Sequence, residues 1–390
     1  MSLDKHYSKG MVRSESGRVV VNVEANVKRK LYASLDLSGL TLKDWFTKAA
    51  IEYSREILEP SLFSRKQIDD ASVSKRRKRG SKTYSVVSMF SGCGGMDLGF
   101  KGGFEIFGNK YPSLPFDIIW ANDLNVAACK TYRQNLRHEI TCGNVWDVMD
   151  TLPDSAEVVI GGFPCQDISV NGKGRGVDGP RSGLYRAMVK AIEKLKPRVF
   201  VAENVKGLLN KTQEDSLHRV ISDFTALGYS VAYRLYNAAD YGVPQTRQRV
   251  FIVGVLPGCF FFHPPMPERS MEEWMTAKEA ISDLETLQES ADFNHIWSKA
   301  KKSPEQGSRI LKADRPGQTI RAECHGNIQF HYKLDRRISM REAARFQTFP
   351  DNFVFKSKLR ETERQIGNAV PPVLAWHIAT SVLGCLEGQA

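Results

Sequence analysis

The sequence predicts an α/β fold built on a mostly parallel sheet, and three observations carry that prediction. Short apolar runs rich in Val, Ile and Phe recur between residues 84 and 255. Stretches with helical spacing separate them, and glycine-rich or polar turns follow several of the runs. Apolar strands alternating with helices imply βαβ units, with the sheet covered on both faces.

The elements justify themselves in chain order. "YSVVSMF" (84–90) reads as a strand running into the glycine-rich turn "SGCGGMDLGF". "FDIIWAND" (116–123) is a second strand, followed by the helical "NVAACKTYRQN". "VVIGGFPC" (158–165), the amphipathic "LYRAMVKAIEKL" (184–195) and "RVFVAENV" (198–205) continue the rhythm, and "QTRQRVFIVG" (245–254) leads into another strand. After Gly254 the rhythm stops. Residues 257–336 are rich in Pro, His and aromatics and predict a smaller irregular domain with one clear helix near "TAKEAISDLETL". A helical segment, "SMREAARFQTF", leads to "QIGNAVPPVLAWHIATSVLGCL", a closing helix apolar enough to pack back onto the sheet. No internal repeat is visible.

Before all this stands a different kind of segment. The chain has 390 residues and a net charge of +11, and residues 1–80 hold 17 Lys and Arg against 10 Asp and Glu. Most of the basic excess therefore lies in the first fifth, which favours a polyanionic partner there. "RVVVNVEANVKRKLYASLDLSGLTLKDWFTKAAIEY" alternates Val19, Val21 and Val23, then takes helical spacing at Val27, Leu31 and Leu35. Gly39 breaks it, Thr41 can cap, and a second helix carries Leu42, Trp45, Phe46, Ala49 and Tyr53. "ASVSKRRKRGSKT" (71–83) has no apolar periodicity and reads as a solvated linker, or one that also touches nucleic-acid backbone. The expected domains are thus 1–70, a linker 71–83, a sheet domain 84–256 completed by 360–390, and a recognition domain 257–359.

Other totals narrow the class. Seven cysteines, with no Cys-x-x-Cys pair, argue against a disulfide framework or zinc site and for a reducing, cytoplasmic setting. No metal site is expected. No apolar run reaches the ~18–20 residues of a membrane span, and the first residues lack a secretory h-region. No membrane role is expected.

The candidate chemistry gathers at predicted strand ends. A strand ends at Phe90; Gly92, Gly94, Gly95 and Gly99 let the backbone approach a ligand closely, and Asp123 ends the second strand, where an acid can accept hydrogen bonds from ribose hydroxyls. Turn and acid together point to a nucleoside-containing cofactor, with a spacing that suits S-adenosylmethionine better than NAD. Cys165 follows a strand end and Gly161-Gly162. Free cysteine is commonly a small buried hydrophobe, but Pro164, Gln166 and the polar, glycine-rich run 169–183 argue for a nucleophile beneath a mobile loop. An unperturbed thiol is only a few per cent thiolate at neutral pH, so a nearby cation should assist it. Arg247 and Arg249 can supply that charge or pair structurally with an acid. Glu203 and Asn204 reach the same sheet edge, Glu203 as a helix cap or as an acid toward a heterocyclic base.

Taken together, "FSGCGG", "GGFPCQ", "ENV", "QTRQRVFIVG", "RRISMREAARFQTFPD" and "QIGNAVPP" resemble, in order, the motif blocks of the DNA (cytosine-5) methyltransferase family. The resemblance spans Tyr84 to the C-terminus. It implies a Rossmann-like S-adenosylmethionine-binding sheet domain, a small target-recognition domain, and double-stranded DNA between them. By that resemblance Cys165 adds to C6 of a flipped cytosine, Glu203 contacts N3, Arg249 contacts the base near O2, and Arg247 orients the site. Phe90, Gly92, Gly94, Asp123, Leu124, Asn144, Leu184 and Asn368 would line the cofactor pocket. Asn144 stands where the family usually carries aspartate, and its amide oxygen can still accept a hydrogen bond. DNA contacts are expected from Gln166, Ser169 and Arg175 in the loop and from Arg321, His325, Asn327 and Gln329 in "RPGQTIRAECHGNIQFHY". Some of the latter would instead satisfy buried backbone.

The N-terminal segment resembles a ribbon-helix-helix module, which would pair strands in a homodimer and turn Arg18, Val20 and Asn22 toward DNA; a hairpin docked on the catalytic domain is the alternative. The leading reading is a sequence-specific DNA cytosine methyltransferase of a restriction-modification system or phage, acting near the nucleoid with a partner endonuclease. An RNA methyltransferase of the same chemistry and a DNA-binding repressor with an inactive catalytic domain are the competing classes.

Overall fold

Strands buried on both faces are apolar at every position rather than at alternate ones, because successive side chains enter cores on opposite sides of the sheet. The computed structural model shows this arrangement. It describes residues 82–164, 183–299, 309–322 and 329–388, all within one unit of the chain, Arg79–Ala390. The modules expected in residues 1–81, including Arg18, Val20 and Asn22, lie outside the described residues.

In chain order the strands are β1 (Tyr84–Met89), β2 (Phe104–Ile106), β3 (Asn109–Tyr111), β4 (Phe116–Asp123), β5 (Thr141–Cys142), β6 (Val158–Gly161), β7 (Val199–Val205), β8 (Ser230–Asn237) and β9 (Gln248–Val255). Seven of them form one sheet in the order β5-β4-β1-β6-β7-β9-β8. β5 through β7 run parallel, and β9 and β8 add an antiparallel edge. β2 and β3 pair as a separate hairpin that the sequence pattern does not announce.

The helices are α1 (Gly95–Lys101), α2 (Val126–Leu136), α3 (Val145–Val148), α4 (Leu184–Leu195), α5 (Glu214–Ala226), α6 (Ala277–Ile281), α7 (Met340–Phe346), α8 (Leu359–Asn368) and α9 (Pro372–Glu387). Two cores flank the sheet. Val86, Ile118, Val158, Val201 and Phe251 face the side where Phe100 of α1 and Leu374, Ile378 and Val382 of α9 pack. Their chain neighbours Val87, Val159, Phe200 and Ile252 face Met188 and Ile192 of α4 and Val220 and Phe224 of α5. Each such side chain contributes about 1.5–3 kcal/mol when fully buried. The spacing 185, 188, 192, 195 on α4 is the stripe its amphipathic sequence requires.

Two expected helices come out differently. The closing helix is two: α8 ends at Asn368, and α9 begins at Pro372, a first-turn position where the N–H that proline lacks is not needed. The helix near Thr276 is one short turn of α-helix, Ala277–Ile281, running into a 3-10 turn, Ser282–Leu284. Thr276 caps it in a box with Glu279.

A third core joins Ala277, Ile281, Met340, Ala344, Phe346 and Phe353 to Cys93, Ile366 and Ala369. Residues 340–355 are therefore packed on the glycine-rich turn and on α8.

Candidate active site

The chain runs from β1 to β4 on one side and then to β6 on the other, so the sheet order reverses at β1. Ligands of open α/β sheets bind outside the carboxyl ends of strands at such a point. A cleft of about 900 Å³ opens there, lined by the ends of β1, β4, β6 and β7, by the β1–α1 turn, and by α8.

The β1–α1 turn is held from beneath. Asp123, at the end of β4, accepts the Gly92 N–H with Oδ2 at 2.8 Å and the Asn125 N–H with Oδ1 at 2.8 Å. Burial raises its pKa, and these two amides oppose the rise. Each oxygen keeps a second lone pair for a ligand. Leu124 stands 71% exposed on the cleft wall, an apolar surface left open. Phe90, Gly92, Asp123, Leu124, Asn144, Leu184 and Asn368 all line the cleft. Phe90 takes a left-handed φ of 56°, a conformation bulky residues rarely adopt. Gly94 is placed differently: it is not among the lining residues but is the N-cap of α1, with φ 94°. Asn144 uses its amide oxygen to cap α3, accepting the Trp146 N–H at 3.1 Å.

On the opposite wall β7 delivers Glu203. Its Oε1 lies 2.8 Å from Arg249 Nε, both side chains nearly buried. Burial raises the pKa of Glu203, with Arg249 and then Arg247 pulling it back. Arg249 is lowered by burial, with Glu203 opposing. Both groups thus shift against their own charge: desolvation outweighs the attraction between them, and the carboxyl holds a proton more tightly than a free glutamate. Glu203 sits against the turn that follows β6, since a side chain at Gly162 would meet Glu203 Oε2 at 3.0 Å. Asn204 fixes the same turn by donating to Phe163 O at 3.0 Å. Cys165, two residues on, lies outside the described residues, as do Gln166, Ser169, Arg175, His325 and Asn327.

Arg247 is wholly buried and does not reach the cleft. It donates to Ile320 O at 2.9 Å, Gly367 O at 2.8 Å and Ala369 O at 3.0 Å. Arg321 is exposed on the cleft wall. Gln329, expected to face a groove, is instead 2% exposed and donates to Gln318 O at 2.8 Å; it satisfies backbone. Glu361 and Arg364 also line the cleft, with Glu361 accepting from Asn125 at 2.8 Å. Neither is flagged by the sequence, because both precede the motif that begins at Gln365 and carry no signal of their own. Among the described residues no His, Cys, Asp and Glu side chains cluster to hold a metal.

The family model for C-5 cytosine-specific DNA methylases matches residues 84–312 and 284–384. The chain belongs to this family. The methylase is 36% identical over 334 residues to the Type II methyltransferase M.NgoFVII of Neisseria gonorrhoeae, covering 76% of this chain and 86% of that one. It is 32% identical over 366 residues to M.BsuRI of Bacillus subtilis, covering 80% and 82%. The S. pombe Dnmt2 methyltransferase shares the fold at 18% identity, with a TM-score of 0.58 over 77% of this chain and 98% of that one. The enzyme is a DNA (cytosine-5) methyltransferase with the α/β architecture that the alternating strands and helices predict. Family membership favours DNA over the RNA alternative.

Proposed function

We propose that the cleft takes S-adenosylmethionine against Asp123 and Leu124 and a flipped cytosine against Glu203 and Arg249, and that Cys165 attacks the base. The observation that carries this reading is the Glu203–Arg249 pair, nearly buried and 2.8 Å apart, set against the turn that leads to Cys165. The cleft fits the cofactor: Asp123 offers two carboxylate lone pairs and a side chain at Gly92 would meet nothing within 4 Å. When bound, S-adenosylmethionine supplies the methyl group.

The chain's own residues prepare the base. C5 and C6 are inaccessible in a stacked duplex, so the nucleotide must leave the helix, at a cost of a few kcal/mol. The Cys165 thiolate adds to C6, and Glu203 donates its proton to N3, so the electron pair released from C6 makes C5 nucleophilic. Arg249 holds the Glu203 carboxyl in place and neutralises charge as it develops. After C5 is methylated, a base takes the C5 proton, and the pair left behind re-forms C5=C6 and expels Cys165 as thiolate. N3 returns its proton to the Glu203 carboxylate, which restores the aromatic ring. The relatives' names as Type II methyltransferases support a restriction-modification setting, in which a partner endonuclease would cut the same site; a phage setting and a cytoplasmic location remain part of the proposal.

Two variants test the reading. Cys165→Ala should abolish methyl transfer while leaving DNA and cofactor binding within a few-fold, and 5-fluorocytosine DNA should trap a covalent adduct on the wild type only. Glu203→Gln keeps the shape but holds no transferable proton, and should slow turnover about 100- to 10,000-fold. An active enzyme that yields no adduct, or a Glu203→Gln variant that stays within about threefold of wild type against that expectation, refutes the assignment.

A further inference from the structure

Gln245 is wholly buried, and its amide joins three segments that are far apart in the chain. Oε1 accepts the Ile320 N–H at 2.7 Å, and Nε2 donates to Phe346 O at 2.9 Å and Gln347 Oε1 at 3.2 Å. Arg247, two residues on, takes the other side of the same residue by donating to Ile320 O. Ile320 is therefore gripped at both its N–H and its C=O by side chains from the approach to β9. Neighbouring groups add to the clasp: Thr246 N donates to Gly317 O at 2.9 Å, Gly317 N to Pro244 O at 2.9 Å, and the Thr319 hydroxyl Oγ1 to Thr246 O at 3.1 Å. Beyond the clasp the chain passes directly over α8, where a side chain at Gly367 would collide with the Arg321 carbonyl carbon. Two residues after Arg247 stands Arg249, paired with Glu203.

We propose that Gln245 is a specificity-determining positioning residue: its amide fixes Ile320 and thereby sets where Arg321, the next residue, leaves the approach to β9 toward the DNA. It touches neither base nor cofactor and acts through Ile320. The physical reason for an amide is that two buried backbone groups of opposite kind, an N–H and a C=O, must be satisfied at once. A carboxylate supplies only acceptors, and an ammonium only donors. The proposal rests on the reading of Arg321 as a DNA contact.

The test compares wild type with Gln245→Met, Arg321→Ala and the double variant. Bisulfite sequencing of host DNA gives the methylated motif and its degeneracy, and steady-state rates on duplexes carrying that motif and its single-base neighbours give kcat and KM. Loss of the clasp should raise KM for the motif about tenfold and narrow discrimination against neighbours by a similar factor, with kcat within threefold. In the double variant discrimination should fall no further than in Arg321→Ala, because both act on one contact. If Arg321→Ala relaxes discrimination and Gln245→Met does not, the proposal is overturned and the DNA-contact reading stands. If Arg321→Ala changes nothing, that reading fails and the proposed route fails with it. Should Gln245→Met fold poorly, Thr319→Val loosens the same clasp from its rim and should relax discrimination in the same direction; unchanged discrimination there overturns the proposal.

Discussion

Asp97 illustrates how burial overrides what a side chain's place in the sequence suggests. It stands in the glycine-rich turn motif, where it resembles a first-turn acid favoured by the helix dipole. In the fold it is wholly buried, accepts the Tyr132 hydroxyl at 2.9 Å, and has its pKa pushed up to about 6 by burial. A raised carboxyl pKa means that the folded state prefers the protonated form. The stability it contributes is fully present below about pH 4 and is lost as pH rises to about 6. Asp97→Asn should therefore gain on wild type across that window, reaching about 3 kcal/mol at neutral pH. Denaturant midpoints at pH 4 and pH 7 read the difference; equal gains at both would show that ionisation is not its source. Glu203 was legible because a strand of apolar residues ending in an acid brings that acid to the sheet edge. Its pairing with Arg249 was not, since β7 and β9 become neighbours only through a long excursion along the chain.

At the scale of elements, α7 shows what composition conceals. Its seven residues include two arginines, and all seven are buried. Arg341 donates to Phe293 O at 3.0 Å, Pro350 O at 3.1 Å and Phe353 O at 2.7 Å. It thus substitutes for the donors that the irregular segments 293 and 350–353 lack, and burial lowers its pKa to about 10. Arg341→Met keeps the volume but strands three carbonyls. It should cost at least about 3 kcal/mol in a urea melt, whereas a loss below about 1 kcal/mol would mean that water takes over these bonds. The helices of the sheet domain were readable because periodicity sees an apolar stripe. α7 was legible as a helix too, but the burial of its arginines was not, because the third core surrounds them and no exposed face marks the polar residues as solvent-facing. The break between α8 and α9 was written in Pro371-Pro372, but the apolar run across it resembles one continuous helix.

For the whole molecule, the described residues form the sheet, its two flanking cores and the cleft within Arg79–Ala390. β1 begins at Tyr84, so deleting residues 1–80 spares every strand that shapes the cleft. Such a variant should methylate DNA within about threefold of full length, a change below the 1 kcal/mol scale. It should lose any promoter binding and dimerisation if the basic segment is a ribbon-helix-helix module. Restriction protection and gel-shift assays on both forms decide this, and a loss of methylation would place part of the catalytic machinery in the first eighty residues.

By itself the sequence determined the α/β class, the order of the strands in the chain, the sheet edge at which the chemistry gathers, and the family. These follow from local pattern: side-chain periodicity, turn residues and motif spacing are written in consecutive positions. Only the tertiary structure decided that Arg247 is a buried strut rather than a face of the cleft, that Gln329 turns inward, that Asn144 spends its oxygen on a helix cap, and that Gln245 ties the approach to β9 to Ile320. Those outcomes depend on which backbone groups are left unsatisfied when distant segments meet. A buried N–H or C=O must find a partner wherever packing places one.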